Sequence, residues 1–292
     1  MSLQFRMGEG LARGTARIAR EQIGEAIEQL EAASSLISRE TSIHEARKQI
    51  KKARALLRLA RDPIGPRRAA KAIRQLRDAA QPLSVARDAS ALIGAIDKLG
   101  ADLDGIDSTV SFDPARDFLS KRRDRVVRDS LDEQEVLPTA ISALRKARRR
   151  IGRWDLRGGD SGPLAGLKRS YKRARAAAEI ASEARSPEAF HEWRKRVKDL
   201  GYQVRAITET GDLDARLRQL GEALGDLHDL DILEATLPYS VLGPIRSTIE
   251  ARREQLRSFT LGRAVEIFAE KPAIFARQLS RLMSSTAVAS SD

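Results

Sequence analysis

The chain has 292 residues, with 53 Lys and Arg against 41 Asp and Glu and a formal net charge of +12. Hydrophobic residues at 41% and charged residues at 32% fit a soluble globular protein and exclude a disordered one; the absence of Cys excludes disulfides and thiolate metal sites. No apolar run approaches the roughly 18 residues of a membrane span. Arg6, Glu9 and Arg13 interrupt any secretory signal, so the chain reads as cytoplasmic.

In chain order, helical spacing dominates and no strand-type alternation stands out. Residues 8–33 place Leu11, Ile18, Ile23, Ile27 and Leu30 near one face. Ser42 followed by Glu45 forms a capping box that would start the next helix, and Asp62-Pro63 would end it. Further helices are expected over about 66–81, 86–99 and 114–136, with an acidic connection over 100–113. Pro138 would separate two helical segments, and the glycine-rich run 157–163 reads as a loop. Helices over 164–184, 187–209, 212–224, 227–237 and 245–269 follow. Ser186-Pro187 supplies an N-cap and a first-position proline for one of them. The stretch 284–292 reads as a frayed polar tail.

Two of these helices carry one motif, His-Glu-x-Arg-Lys-x-(Ile/Val)-Lys with Arg seven residues further on. The first copy is His44, Glu45, Arg47, Lys48, Ile50, Lys51 and Arg58; the second is His191, Glu192, Arg194, Lys195, Val197, Lys198 and Arg205. At about 100° per residue, with the His at 0°, the four cations fall at roughly 300°, 40°, 340° and 320°. The opposite face carries Ala46, Ile50, Ala53, Leu57 and Ala60 in one copy and Trp193, Val197, Leu200, Val204 and Ile207 in the other. Neighbouring like charges at i,i+3 and i,i+4 repel, so an unbroken cationic row repeated twice points to an anionic ligand. A solvated surface face is the plainer alternative.

The halves also match elsewhere. Gly10-Leu11-x-Arg13-x-x-x-Arg17 aligns with Gly166-Leu167-x-Arg169-x-x-x-Arg173, and Leu83…Arg87-Asp88…Leu92 with Leu224…His228-Asp229…Leu233. Three matches in the same order indicate a duplicated helical unit. The fold expected is all-α: two pseudo-symmetric helical bundles around a basic central groove. A single domain over 8–275 would divide into halves at about 8–136 and 138–275.

Arg offers phosphate paired donors, Lys a mobile point charge, and a His near a helix start meets the positive end of the dipole. His44 is expected in a first turn and His191 in a second. Arg13, Arg17 and Arg20 precede the first motif as Lys168, Arg169, Tyr171, Lys172, Arg173 and Arg175 precede the second. The cluster Arg145, Lys146, Arg148, Arg149, Arg150 and Arg153 has no counterpart and reads as solvated helix surface. His228-Asp229 with Asp231 superficially suits a metal phosphohydrolase, yet each His lies among cations, which oppose a metal. No phosphate-binding loop, dinucleotide fingerprint or nucleophile elbow is present, so no enzyme, no metal and no cofactor is expected.

These residues resemble the CHAD domain, the conserved histidine α-helical domain. The resemblance rests on His44-Glu45-Ala46-Arg47…Lys51-Lys52-Ala53-Arg54, on His191-Glu192-Trp193-Arg194-Lys195…Lys198…Tyr202, on Leu224-Gly225-Asp226-Leu227-His228-Asp229, and on Tyr171-Lys172-Arg173. It implies two helical bundles around a basic cavity that binds inorganic polyphosphate, with members that associate with polyphosphate granules. The ligand set it implies here is Arg13, Arg17, Arg20, His44, Arg47, Lys48, Lys51, Lys52, Arg54, Arg58, Arg169, Tyr171, Arg173, His191, Arg194, Lys195, Lys198, Tyr202, Arg205 and His228. Asp199 and Gly201 depart from the family pattern, where basic residues are common, and shift the expected binding toward the first half. A nucleic-acid-binding module is the alternative, although aromatics at 4% leave few stacking platforms.

Overall fold

The computed structural model describes residues 3–6, 8–33, 36–101, 110–131, 136–156, 163–208 and 211–288. These residues form an all-α fold. In chain order the helices are α1 (Leu11–Glu31), α2 (Leu36–Leu59), α3 (Arg61–Ile64), α4 (Pro66–Ala80), α5 (Val85–Ala101), α6 (Asp113–Leu131) and α7 (Val136–Gly152). They continue as α8 (Leu164–Ala184), α9 (Pro187–Ile207), α10 (Asp212–Thr236), α11 (Tyr239–Leu242), α12 (Arg246–Ile267) and α13 (Pro272–Val288). Among the described residues no helix is long and apolar enough to cross a membrane.

The apolar stripes read from the sequence are the buried faces. Ala46, Ile50, Ala53 and Leu57 are fully buried on α2, as is Ala60 just after it, and Trp193, Val197 and Leu200 on α9. Leu11, Ile18, Ile23, Ile27 and Leu30 are likewise inside on α1. Each large aliphatic side chain so buried contributes about 1.5–3 kcal/mol. All join one continuous core running through both halves of the chain.

Some helix pairings are alike in the two halves and others are not, since α9 packs closely on α10 whereas α2 packs on α4 more than on α5. α1 packs on α2 and is backed by α7, while α8 packs on α9 and is backed by α13. α5 pairs with α6 as α10 pairs with α12, and the halves meet through α2 against α9 and α5 against α10. At this junction the buried Gln203 amide donates to the Ala55 carbonyl at 2.9 Å. The start of α8 approaches the end of α2 so closely that a Cβ on Gly166 would lie 2.1 Å from the Leu59 carbonyl oxygen. Only glycine fits there.

Several boundaries differ from the sequence reading. Ser42 caps nothing: no Gly or Pro interrupts residues 36–42, so α2 begins at Leu36 and Ser42 is buried inside it. Asp62-Pro63 does not end α2 but sits within α3; the break that redirects the chain is Gly65, with φ +97°. Pro138 does not divide two segments, because it occupies the first turn of α7, where its missing N–H has no helical partner to lose. The helices expected over 212–224 and 227–237 are one, α10. Gly225 sits in its interior, and the core residues Leu220, Leu224, Leu227 and Leu230 hold it helical. Beyond residue 269, where the sequence reading places no helix, α13 packs Phe275, Ala276 and Leu279 into the core and runs to Val288, so residues 284–288 of the expected tail are helical. Residues 157–162, most of the expected loop, and 102–109, most of the acidic connection, lie outside the described residues, as do 289–292.

Candidate functional site

The junction of α2 and α9 places the two cationic rows side by side. Burial of the apolar stripes fixes the rotation of each helix, which leaves the motif cations on the opposite, accessible side. His191 faces Lys195 and Arg194 on its own helix, Lys51 on α2 and His228 on α10. The rings of His191 and His228 lie 4.2 Å apart at 36°. Burial, then Lys195, Arg194 and Lys51, hold His191 below its ordinary value, with Glu192 opposing. His228 is pushed down to about 4 by burial first, then by His191, Arg194 and Lys195. The half-buried pair is therefore neutral at neutral pH in the free protein. His191 Nδ1 is buried without a hydrogen-bond partner among the described residues.

Two glycines of α10 shape this patch. A Cβ on Gly221 would lie 3.3 Å from Lys198 Cε, and one on Gly225 would lie 3.4 Å from Arg194 Nε and Nη2. The bare backbone of α10 thus forms a shelf along which Arg194 and Lys198 extend. Position i,i+4 puts both glycines on the same face as His228 at i+7. The Leu-Gly-x-x-His-Asp segment is therefore a seat for the α9 cations and not a chain reversal.

Towards the middle of the junction lie Lys52, Arg54, Tyr202 and Asp199. Lys52 is lowered by burial and then by Lys48, with a smaller effect from Arg205, while its ammonium donates to Gln49 at 2.8 Å. Arg54 is lowered by burial and then by Arg58, with Asp199 opposing. Burial also raises the Tyr202 hydroxyl, against the pull of Arg205. Asp199 accepts from Arg58 Nη1 at 3.0 Å, so the acidic departure from the expected basic pattern ties the halves together. Burial pushes its carboxyl up, and Arg58, Arg196 and Arg54 draw it down.

A further cluster gathers where α2, α3, α8 and α9 meet. Arg173 is lowered by burial and then by Arg196, Arg169, Arg61 and Arg58. Asp62 pairs with Arg169 at 2.9 Å, and Glu192 with Arg196. Arg61 and Arg196 belong to this patch, although sequence reasoning missed both. Arg196 falls beside the apolar stripe of α9, and Arg61 follows the end of the motif, so neither was on the cationic row.

Other expected ligands have different places. Tyr171 is fully buried, donates to the carbonyls of Ile267 and Glu270 at 3.0 and 3.1 Å, and stacks on Phe275 with centroids 4.1 Å apart. It cannot touch a solvent-borne ligand, because it pins α8 to the α12–α13 corner. Arg17 donates to Glu9 at 2.7 Å, to Glu21 at 3.1 Å and to the Gln4 carbonyl at 3.1 Å, which occupies its whole fork. Arg205 grips the buried Asp214 with two nitrogens at 3.0–3.3 Å. Arg47 donates to the Ala80 carbonyl at 2.9 Å and helps close the end of α4. Arg13 and Arg20 line a separate groove with the end of α7. His44 is exposed in the third turn of α2, so the helix-start argument fails for it; His191 is in the second turn of α9, as expected.

Apart from the half-buried Arg150, the α7 cluster is exposed helix surface, as expected. Arg145 pairs with Glu31, and Arg148 lies over Gly24, where a Cβ would be 3.3 Å away. The carboxylates beside His228 turn elsewhere: Asp231 pairs with Arg253 at 3.1 Å, and Asp229 shares a cavity with Lys98, Asp226 and Arg252. Among the described residues no three His, Cys, Asp or Glu side chains gather as a metal site would require.

The described residues form an all-α fold in which two cation-bearing helices, α2 and α9, pack on each other. Residues 21–238 match the family model of the CHAD domain, and the chain belongs to that family. Comparison with curated proteins gives no match.

Proposed function

We propose that this chain is a non-catalytic protein that binds inorganic polyphosphate along the α2–α9 junction. The observation that carries the reading is the crowding of like charge. His191, His228, Lys52, Arg54 and Arg173 are all held below their ordinary values by burial together with neighbouring cations. Such crowding destabilises the free protein and is relieved when a polyanion replaces the repulsion by charge-assisted hydrogen bonds. The CHAD family is associated with polyphosphate, which supports this choice of anion.

The ligand-bearing residues in this reading are Lys48, Lys51, Lys52 and Arg54 of α2, His191, Arg194, Lys195 and Lys198 of α9, and His228 of α10. Arg58 and Arg173 extend the row toward α8. A thin, flexible chain with a charge on every unit suits rows of Lys and Arg set on helices better than stacked bases do. The same surface would hold the protein at polyphosphate granules.

The test is calorimetric titration with polyphosphates of defined length, set against single- and double-stranded nucleic acids. Affinity is expected to rise with polyphosphate length, and long chains displace nucleic acid at low molar excess. Lys51→Glu with Lys195→Glu should weaken binding at least a hundredfold while leaving the helical circular dichroism unchanged. Nucleic acid that outcompetes polyphosphate, or a double variant that binds as tightly as the native chain, would overturn the proposal.

A further inference from the structure

Away from the α2–α9 junction, α1 and the end of α7 enclose a groove of about 540 Å³, within the range of small-ligand sites. Its cations are Arg13 and Arg20 from α1 and Arg153 from the segment after α7. All three are exposed, and among the described residues none has an acidic partner. Arg17 also lines the groove, but its donors are held by Glu9, Glu21 and Gln4. The Arg20 guanidinium packs against Gly152, where a Cβ would lie 3.2 Å from Arg20 Nε.

The rest of the lining is unlike a polyphosphate site. Trp154 is half-buried, rests on the core by one side and faces the groove, and among the described residues no other aromatic ring lies against it. Ile151 and Leu156 add apolar wall. Asp155 contributes a carboxylate, and its segment is fixed by the Arg68 guanidinium, which donates to the Asp155 carbonyl at 3.3 Å. A bare phosphate chain gains nothing from an indole or an aliphatic wall, and a carboxylate repels it. A nucleoside phosphate uses both the cations and the apolar wall: arginines for the phosphates and the indole for the base.

We infer that this groove is a second, independent ligand site, which takes a mononucleotide carrying two or three phosphates. The site needs no residue of the α2–α9 junction and stands whether or not that junction binds polyphosphate.

The probes are ATP, adenosine and inorganic tripolyphosphate, each titrated calorimetrically into the full chain. Tryptophan emission is followed in parallel, because Trp193 is fully buried and Trp154 is the ring a ligand can reach. ATP should bind saturably, quench the emission and bind at least tenfold more tightly than tripolyphosphate or adenosine. Trp154→Leu should abolish the preference for ATP over tripolyphosphate, and Arg20→Gln with Arg153→Gln should weaken both. The Lys51→Glu, Lys195→Glu variant should bind ATP as the native chain does. Equal binding of ATP and tripolyphosphate, no ATP binding up to millimolar concentration, or loss of ATP binding in the junction variant would each overturn the inference.

Discussion

The histidines are the residues whose state the site controls most. His191 and His228 are both lowered in the free fold, His228 to about 4. An unfolded chain takes up their protons near 6.5, so their contribution to stability is complete above that value and is lost as pH falls toward 4. A bound polyanion reverses the preference by favouring the imidazolium. Lys51, Arg194, Lys195 and Glu192 are the other charged groups facing His191. Polyphosphate affinity should therefore strengthen as pH drops from 7.5 to 5.5, and thermal stability of the free protein should fall over the same span. Replacing both histidines by Gln should flatten the binding response and leave its salt dependence. A pH-independent affinity in the native chain would make the pair structural.

Gly221 and Gly225 give a second prediction of this scale. A mid-helix glycine costs about 0.5–1 kcal/mol relative to alanine. Gly225→Ala should raise the melting temperature slightly, because Arg194 can swing aside, yet weaken polyphosphate binding severalfold by displacing that guanidinium from its shelf. Unchanged affinity would show that the shelf does not position Arg194. Nothing in the sequence exposed this role, since a glycine within a leucine-rich run reads as a break until its neighbour across the interface is known.

At the level of elements, periodicity carried most of the information. The apolar stripes of α1, α2 and α9 were readable because their buried and exposed faces differ sharply, and the same contrast oriented the cationic rows. Local punctuation was less reliable. Ser42 and Glu45 have the spacing of a cap, yet the helix continues upstream because nothing there breaks it. Tyr171 shows the corresponding limit for ligands. It sits in a basic stretch, but its ring faces inward to meet Phe268 and Phe275 from segments about a hundred residues away, a long-range contact no local pattern encodes. Tyr171→Phe should cost about 0.5–1.5 kcal/mol in urea unfolding through the lost hydroxyl bonds and leave polyphosphate affinity unchanged. A variant of native stability with weakened binding would restore it to the ligand set.

Across the whole molecule, the fold class and the two cation-bearing helices were legible, while their assembly was not. The sequence cannot show that Asp199 spans to Arg58, that Gly166 lets α8 close on α2, or that Arg13 and Arg20 join the end of α7. Net charge alone also says little about where an anion goes, because much of it is answered locally. Arg17, Arg205 and Arg253 are all held by carboxylates inside the structure. What distinguishes the α2–α9 junction is a density of cations that outnumbers the acids among them, although Glu45, Glu192 and Asp199 pair with Lys48, Lys195 and Arg58 there. If that density is what binds polyphosphate, each removed cation must reduce the number of counterions released. The most direct measurement is the slope of log affinity against log salt for native protein and for Lys51→Ala, Lys195→Ala and Lys198→Ala, singly and combined. The expected result is a steep native slope that falls by about one for each lysine in contact with phosphate, with the triple variant losing most of the binding. A native affinity insensitive to salt, or a triple variant with the native slope, would contradict the account.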